Sequence, residues 1–199
     1  LGTVNLRQVG TNEKPIVIRN AAEGATPVWE GAAVKTRDCF LVTGSYYVIE
    51  GLQIQGCQSG SSAAIRTYSA DHVLIKGNVL TGNAQGVTGD GDDVVIQGNH
   101  IYRNTNASSH LGHNIYVYGG TVKIIGNNIH DASGQNIHNR ATTALIEGNT
   151  FANAGSYLGD CMPAGYNSKS NTMNHVWKNN TIVLGNQANR SQVIAMFYD

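Results

Sequence analysis

The chain has 199 residues, a formal net charge of zero from 13 basic and 13 acidic residues, and only 13% charged residues. A nucleic-acid-binding protein needs a basic stripe, so this balance predicts no nucleic-acid partner. No apolar run is long enough to cross a bilayer, and we therefore predict no membrane insertion. The 24 glycines indicate a chain that turns often, because glycine accepts backbone angles that other residues avoid.

Both ends of the sequence have a strand-and-turn pattern. Residues 10–18 read as a turn followed by a short strand, and residues 196–198 are Met-Phe-Tyr with no polar cap. We interpret residues 1–199 as one solenoid domain, an excised or mature segment that lacks one or both caps. Uncapped solenoid ends stack on one another, so end-to-end self-association is one predicted partner interaction.

The three cysteines, Cys39, Cys57 and Cys161, do not have a metal-binding spacing. Their odd number leaves at least one thiol free. A bridge between Cys39 and Cys57 is predicted only if the fold brings the two positions together.

One motif recurs along the chain: an aliphatic residue, any residue, Gly, Asn, any residue and a second apolar residue. Clear copies begin at Ile75, Ile96, Ile124 and Ile146, and degenerate copies begin at Ile49 and Trp177. The intervals between successive copies vary, at 26, 21, 28, 22 and 31 residues. A fixed motif with connections of variable length is typical of short strands joined by loops and not of a helical repeat.

The asparagines of this motif are predicted to form a column inside the protein. They are Asn78, Asn99, Asn127, Asn149 and Asn180. Each follows a residue, usually glycine, that allows a sharp bend between two strands. Stacked amides then satisfy one another's donors and acceptors in a core that penalises any left unpaired.

A second column has the same register. Ile65, Val87, Ile115 and Ile137 are separated by 22, 28 and 22 residues, and the matching steps of the asparagine column are 21, 28 and 22. Two independent columns with one set of spacings indicate true repeats. The sequence therefore predicts an all-β fold, a right-handed parallel β-helix solenoid with an internal asparagine ladder and about seven rungs.

Three segments carry a resemblance to known proteins: residues 112–117 (Gly-His-Asn-Ile-Tyr-Val), residues 138–141 (His-Asn-Arg-Ala) and residues 146–149 (Ile-Glu-Gly-Asn). They resemble the right-handed parallel β-helix superfamily, which includes pectate lyases, alginate lyases and epimerases, and phage tailspikes. Most similar is a group of uncharacterised bacterial secreted β-helix proteins. This group has a Tyr and an Asp one rung later, matched here by Tyr157 and Asp160. The sequence departs from the group at Asn139, where Ser is commoner, and has no nearby Lys.

The resemblance implies a secreted, extracellular or periplasmic protein that binds a polysaccharide along one parallel sheet. In this chain the sheet contains the second column, so alternation predicts an outward face formed by the residues that flank it. These are Arg66, Tyr68, Thr88, Asp90, Asn114, Tyr116, Tyr118, Asn136, His138 and Arg140. Aromatic rings stack on sugars, and amides and arginines bind hydroxyls and carboxylates. The predicted substrate-binding residues are Arg66, Tyr68, Asn114, Tyr118, Asn136, Tyr157, Asp160 and, from a long insertion, Lys169.

The chemistry implied by the resemblance is β-elimination on an acidic polysaccharide, which suggests a lyase or an epimerase. It requires a base for the C5 proton, a partner for the uronate carboxylate and an acid for the leaving oxygen. His138 or Arg140 is the candidate base, Arg66 or Arg140 the carboxylate partner, and Tyr116 or His113 the acid. His138 is the first choice for the base because histidine exchanges protons near neutral pH.

One acidic turn is a candidate metal site. Asp90, Asp92 and Asp93 lie in a glycine-rich turn, and calcium binds several hard oxygen ligands. Ca²⁺ is the only cofactor that we predict. Because such turns also occur without metal, a metal-free turn is the alternative.

Two functions of other classes also fit the sequence. A non-catalytic glycan-binding or adhesion module needs the same outward face without proton transfer. A structural solenoid needs only the rungs and ends that stack.

Overall fold

A computed structural model of the protein describes residues 2–21, 24, 26–31, 38–106, 111–155, 159–161, 174–183 and 194–196, the segments 159–161 and 194–196 by their backbone alone. Over these residues the regular secondary structure consists of β-strands. No helix in this part of the chain is long and apolar enough to cross a membrane.

The strands form three parallel sheets. Sheet A contains β1 (Val4–Leu6), β4 (Phe40–Val42), β7 (Ala63–Thr67), β10 (Gln85–Gly89), β13 (Ile115–Tyr118), β16 (Ile137–Arg140), β19 (Gly159–Cys161) and β22 (Ile194–Met196). Sheet B contains β2 (Ile16–Arg19), β5 (Tyr47–Glu50), β8 (Val73–Lys76), β11 (Val94–Gln97), β14 (Thr121–Ile125), β17 (Thr143–Glu147) and β20 (Asn174–Lys178). Sheet C contains β3 (Val28–Glu30), β6 (Gln53–Gln55), β9 (Val79–Thr81), β12 (His100–Tyr102), β15 (Asn128–Ala132), β18 (Thr150–Ala154) and β21 (Thr181–Val183).

Each turn of the chain contributes one strand to every sheet, and each strand pairs in parallel with its equivalent one turn later. This arrangement is a right-handed parallel β-helix, which confirms the predicted fold class. The core runs along its axis, where inward side chains of all three sheets stack in columns. The predicted column of Ile65, Val87, Ile115 and Ile137 is at most 1% exposed.

The predicted asparagine ladder is confirmed between sheets B and C. Each Asn Nδ2 donates to the Oδ1 of the next Asn, over 3.1, 3.0, 2.9 and 3.0 Å from Asn78 to Asn180. Each Nδ2 also donates to a carbonyl of the sheet B strand one turn earlier, as Asn127 does to Ile96 at 2.9 Å. The preceding glycines have φ between 61° and 65°. In the degenerate copy Asn179 adopts φ 54° instead, so the bend is kept without glycine.

A second ladder, which the sequence did not predict, runs between sheets C and A. Asn83 donates to Asn104 at 3.1 Å, Asn104 to Asn114 at 2.7 Å, and Asn114 to Asn136 at 2.8 Å. All four side chains are fully buried. The prediction that Asn114 and Asn136 face outward and bind substrate is therefore wrong. Asn114 directly precedes β13, and Asn136 directly precedes β16. Each therefore lies at a corner, where the in-and-out alternation of the strand has not yet begun.

A disulfide joins Cys39 to Cys57, whose Cα atoms are 5.9 Å apart. This confirms the conditional prediction of a bridge. Both cysteines are buried, at 0% and 2% exposed. The bond links the residue that precedes β4 of sheet A to the turn that follows β6 of sheet C.

Removing this disulfide is expected to lower the free energy of unfolding by about 3 kcal/mol, because it closes a loop of 18 residues that is otherwise free in the unfolded chain. Urea unfolding of the wild type with and without reductant measures the effect. The double variant Cys39→Ser/Cys57→Ser serves as the control, since reductant has no bond to break there. Equal stability of the oxidised and reduced wild type would contradict the prediction.

Candidate functional site

The outer face of sheet A has two rows of side chains. Strand pairing places Tyr116 beside His138, and His138 beside the backbone position of Asp160. In the second row Tyr118 pairs with Arg140. Thr88 also belongs to the first row but is fully buried, because its neighbours on the flanking strands are the large residues Arg66 and Tyr116.

Four predicted catalytic residues are in contact, and we call them the histidine–tyrosine cluster: His113, Tyr116, His138 and Arg140. The rings of His113 and His138 stack with centroids 5.1 Å apart. Tyr116 meets His138 edge-on at 4.7 Å, and Arg140 Nη1 donates to the Tyr116 hydroxyl at 3.4 Å. The cluster therefore brings an imidazole, a phenol and a guanidinium together on one outward surface.

His113 is the buried member of the cluster, at 2% exposed. Its Nδ1 accepts a hydrogen bond from the Gln135 backbone N–H at 3.2 Å. Burial, with a smaller contribution from His138, lowers the pKa of His113 to about 3. The prediction that His113 donates a proton to substrate does not fit this environment. Its position beneath His138 instead fixes the orientation of that ring.

The buried His113 is expected to make the protein less stable in acid. In the unfolded chain the imidazole takes up a proton near its ordinary pKa of 6.5. In the folded protein its pKa is lowered to about 3. The unfolded state thus binds more protons between these values, and stability falls by up to about 1.4 kcal/mol per pH unit as pH drops through this window. In His113→Phe this part of the slope disappears. Urea unfolding from pH 4 to 6 measures it.

Two results decide the acid prediction. Above pH 7 the imidazole is neutral in both states, so the wild type and His113→Phe are expected to have parallel stability profiles there. An unchanged slope between pH 4 and 6 in His113→Phe would show that His113 takes up a proton without unfolding.

Beside the cluster lies an open groove of about 520 Å³. Its lining consists of Thr3, Asn5, Asp38, Leu41, Thr43, Ser61, Arg66, Tyr68 and Tyr118. The groove is continuous with the cluster, because the Tyr118 ring lies 5.4 Å from the Tyr116 ring. Tyr68, predicted to bind substrate, is 60% exposed at its edge.

Arg66 lies in the groove but already has a carboxylate partner. Its Nε donates to Asp38 Oδ1 at 2.9 Å, and Nη2 donates to the Ser61 carbonyl at 2.6 Å. Burial and the charge of Asp90 raise the pKa of Tyr118, and Arg66 partly offsets this. The buried Asp38 was not predicted, since no motif marks it. Asp38 therefore neutralises Arg66, whereas Arg140 lies in the histidine–tyrosine cluster itself, next to Tyr116.

Three further predicted residues follow the cluster in sequence. The backbone of Asp160 pairs with that of His138 in sheet A, which places it at the next position along the first row. Tyr157 and Lys169 lie outside the described residues.

The predicted calcium ligands point to separate partners. Asp90 Oδ1 accepts the Ser69 backbone N–H at 2.6 Å. Asp93 pairs with Lys123 at 3.0 Å and with His72 at 3.2 Å. Burial raises the pKa of Asp93, but the bonds to Lys123 and His72 outweigh it and hold that pKa below its usual value.

The remaining acid of the turn, Asp92, donates its backbone N–H to Asp71 Oδ1 at 2.8 Å. Among the described residues no group of three or more His, Cys, Asp or Glu side chains fits a metal ion. The prediction of calcium at Asp90, Asp92 and Asp93 does not fit these contacts, because the Asp90 carboxylate caps a turn and the Asp93 carboxylate is an ion-pair partner.

A second polar cluster, not predicted from the sequence, lies on the outer face of sheet C. His100 Nε2 is 2.8 Å from His130 Nε2, and His130 Nδ1 is 2.9 Å from Asp131 Oδ2. Tyr102 stacks on both imidazoles, with centroids 4.3 Å from His100 and 5.1 Å from His130. The sequence contained a signal for this cluster. Each histidine lies next to an inward isoleucine of the repeat, so both were outward positions on adjacent rungs.

Comparison with known proteins gives a structural neighbour. No protein-family model and no curated protein matches the sequence. Among solved structures, an alginate lyase from Paenibacillus sp. str. FPU-7 is similar over 97% of this chain and 86% of its own, with a TM-score of 0.53 and 16% sequence identity. At this identity the likeness concerns the fold alone: the chain shares its parallel β-helix architecture with that enzyme.

Proposed function

We propose that the outer face of sheet A binds an acidic polysaccharide and cleaves it by β-elimination. The observation that carries the proposal is the contact between His138, Tyr116 and Arg140 beside an open groove. These groups are the base, the acid and the carboxylate partner that the reaction requires. The shared architecture with an alginate lyase and the sequence resemblance to the superfamily that includes pectate and alginate lyases support the same substrate class.

The groove is suited to hold sugar units next to the cluster. Tyr68 offers an exposed ring at its edge, and aromatic faces stack on sugar rings. Tyr118 connects the groove to Tyr116. A chain bound along sheet A therefore runs across several rungs, spaced about 4.8 Å apart, from the groove to the cluster.

The proposed reaction begins when His138 removes the C5 proton of a uronate. Arg140 binds the carboxylate and stabilises the negative charge that develops there. The electron pair of the C5–H bond forms a C4–C5 double bond, and the C4–O bond breaks with its electrons on oxygen. Tyr116 donates its hydroxyl proton to that oxygen. The resulting phenolate lies 3.4 Å from the Arg140 Nη1, which stabilises its charge until a proton returns from solvent.

We also propose that the protein works in the extracellular space or periplasm. The Cys39–Cys57 disulfide supports this location, since structural disulfides persist in oxidising compartments. A protein in such a compartment meets polysaccharides of cell surfaces and matrices directly.

A lyase assay tests the proposed activity. The protein is incubated with alginate, pectate, a glycosaminoglycan and a neutral glucan, and the ultraviolet absorbance of the unsaturated uronate is followed. Absorbance is expected to grow with at least one acidic polymer and not with the neutral one. Reducing ends without absorbance would indicate hydrolysis and overturn the proposal. Altered C5 configuration by NMR without cleavage would indicate an epimerase, in which the proton returns to C5 and the C4–O bond stays intact.

Non-catalytic glycan binding is the second candidate function, favoured by the neutralisation of Arg66 by Asp38 within the groove. Affinity electrophoresis in gels containing each polysaccharide distinguishes it from catalysis. Retention that is reduced in Tyr116→Ala, together with no absorbance change, would support a binding module. End-to-end self-association stays a prediction, which light scattering at several concentrations tests.

A further inference from the structure

The cluster on sheet C lies on a different face from the proposed catalytic site. His100 lies on β12 and His130 on β15, which are neighbouring parallel strands. Tyr102 pairs with His130 in register and stacks against both imidazoles. The two rings are thus held together by the sheet and by a shared aromatic neighbour.

Asp131 determines the tautomer of His130. A carboxylate only accepts hydrogen bonds, so the Asp131 Oδ2 at 2.9 Å requires the proton of His130 to be on Nδ1. The Nε2 of His130 then carries a lone pair directed at His100. Asp131 is itself held in place by hydrogen bonding to Asn153, and the charge of Arg103 also acts on it. Its φ of 57° is a left-handed conformation that ordinary strand residues do not adopt.

We propose that His100 and His130 bind a divalent transition-metal ion through their two Nε2 atoms, with Cu²⁺ preferred. In metal sites a ligating histidine commonly donates its other ring N–H to a carboxylate, which orients the ring and raises its basicity. The His130–Asp131 pair has this arrangement. Water completes the coordination, since the described part of the chain contains no third nearby ligand of the His, Cys, Asp or Glu type.

The spacing of the nitrogens favours a square-planar ion. Metal–imidazole bonds are about 2.0 Å long, so two ligands at a right angle have nitrogens about 2.8 Å apart, and square-planar or tetragonal geometry is typical of Cu²⁺. The observed Nε2–Nε2 distance is 2.8 Å. Without metal one proton lies between the rings. On binding, that proton moves to Nδ1 of His100 through solvent, and both Nε2 lone pairs turn toward the ion.

Titration of the untagged protein with CuCl₂ tests the proposal by calorimetry and by electron paramagnetic resonance. We expect one ion per chain with two coupled nitrogens, lost in both His100→Ala and His130→Gln. Asp131→Asn is expected to weaken binding about 10–100-fold, because it removes the acceptor that fixes the His130 tautomer. The matched control is His72→Ala, an exposed histidine on another face, which is expected to bind as the wild type does.

Three results would overturn the proposal: no binding by the folded wild type, binding retained in both histidine variants, or an unchanged affinity in Asp131→Asn. Tighter binding of Zn²⁺ than of Cu²⁺ would overturn the square-planar assignment. Circular dichroism of each variant confirms that it is folded. The copper signal is independent of polysaccharide cleavage, so a failure of either proposal leaves the other testable.

Discussion

Asn127→Ala is expected to lower the free energy of unfolding by about 4 kcal/mol. Asn127 lies in the middle of the ladder, where its Nδ2 donates to Ile96 O and Asn149 Oδ1, and its Oδ1 accepts from the backbone and side chain of Asn99. Alanine removes these four buried hydrogen bonds, each of which contributes about 1 kcal/mol, and the Asn99 backbone N–H loses its acceptor. Urea unfolding followed by circular dichroism measures the loss.

The neighbouring Asn128 provides a matched control. It has the same side chain one position later in sequence, but it is exposed on the outer face of sheet C. Asn128→Ala is expected to change stability by less than about 0.5 kcal/mol, as surface substitutions usually do. Similar losses in the two variants would mean that the ladder contributes no more than a surface amide.

His138→Ala is expected to reduce turnover of the polysaccharide about 10²–10⁴-fold, the usual contribution of a general base. The reason is that the imidazole lies beside Tyr116 and Arg140 on the outer face, so its loss leaves the C5 proton without an acceptor. The main effect should be on kcat, because the groove lined by Arg66, Tyr68 and Tyr118 is not altered. Initial rates by ultraviolet absorbance provide kcat and KM.

His72→Ala is the control for this experiment, because His72 is an exposed histidine that contacts Tyr46 and Asp93 instead of the cluster. It is expected to keep wild-type turnover. Tyr116→Phe tests the acid separately, since it keeps the ring against His138 and removes only the hydroxyl. Full activity in His138→Ala with loss in Tyr116→Phe would assign both proton transfers to the tyrosine and contradict the role proposed for His138.

The two ladders also explain how the site is held in place. One of them ends in Asn114 and Asn136, which directly precede the strands that carry Tyr116 and His138. A buried amide chain therefore fixes the start of each strand on sheet A. Residues held on rigid strands keep their relative positions, which catalysis by proton transfer requires.

The sequence by itself determined the fold and its register. The Gly-Asn motif predicted the ladder from Asn78 to Asn180, because glycine favours a sharp bend and stacked inward amides need asparagine at the same place in successive turns. The column from Ile65 to Ile137 predicted sheet A, since strand alternation follows from local backbone geometry. The same alternation brought Tyr116, His138 and Arg140 to one face.

The tertiary structure decided which polar residues at the corners are buried and which partners the outward residues contact. Asn114 and Asn136 follow the outward pattern in sequence, yet they lie at corners and are buried. The partner of Arg66 is Asp38, 28 residues earlier, and His100 meets His130 across 30 residues. Such pairs depend on loop lengths and on packing between turns, and neither is encoded in a local period. A repeat therefore specifies the solenoid, whereas long-range contacts specify its chemistry.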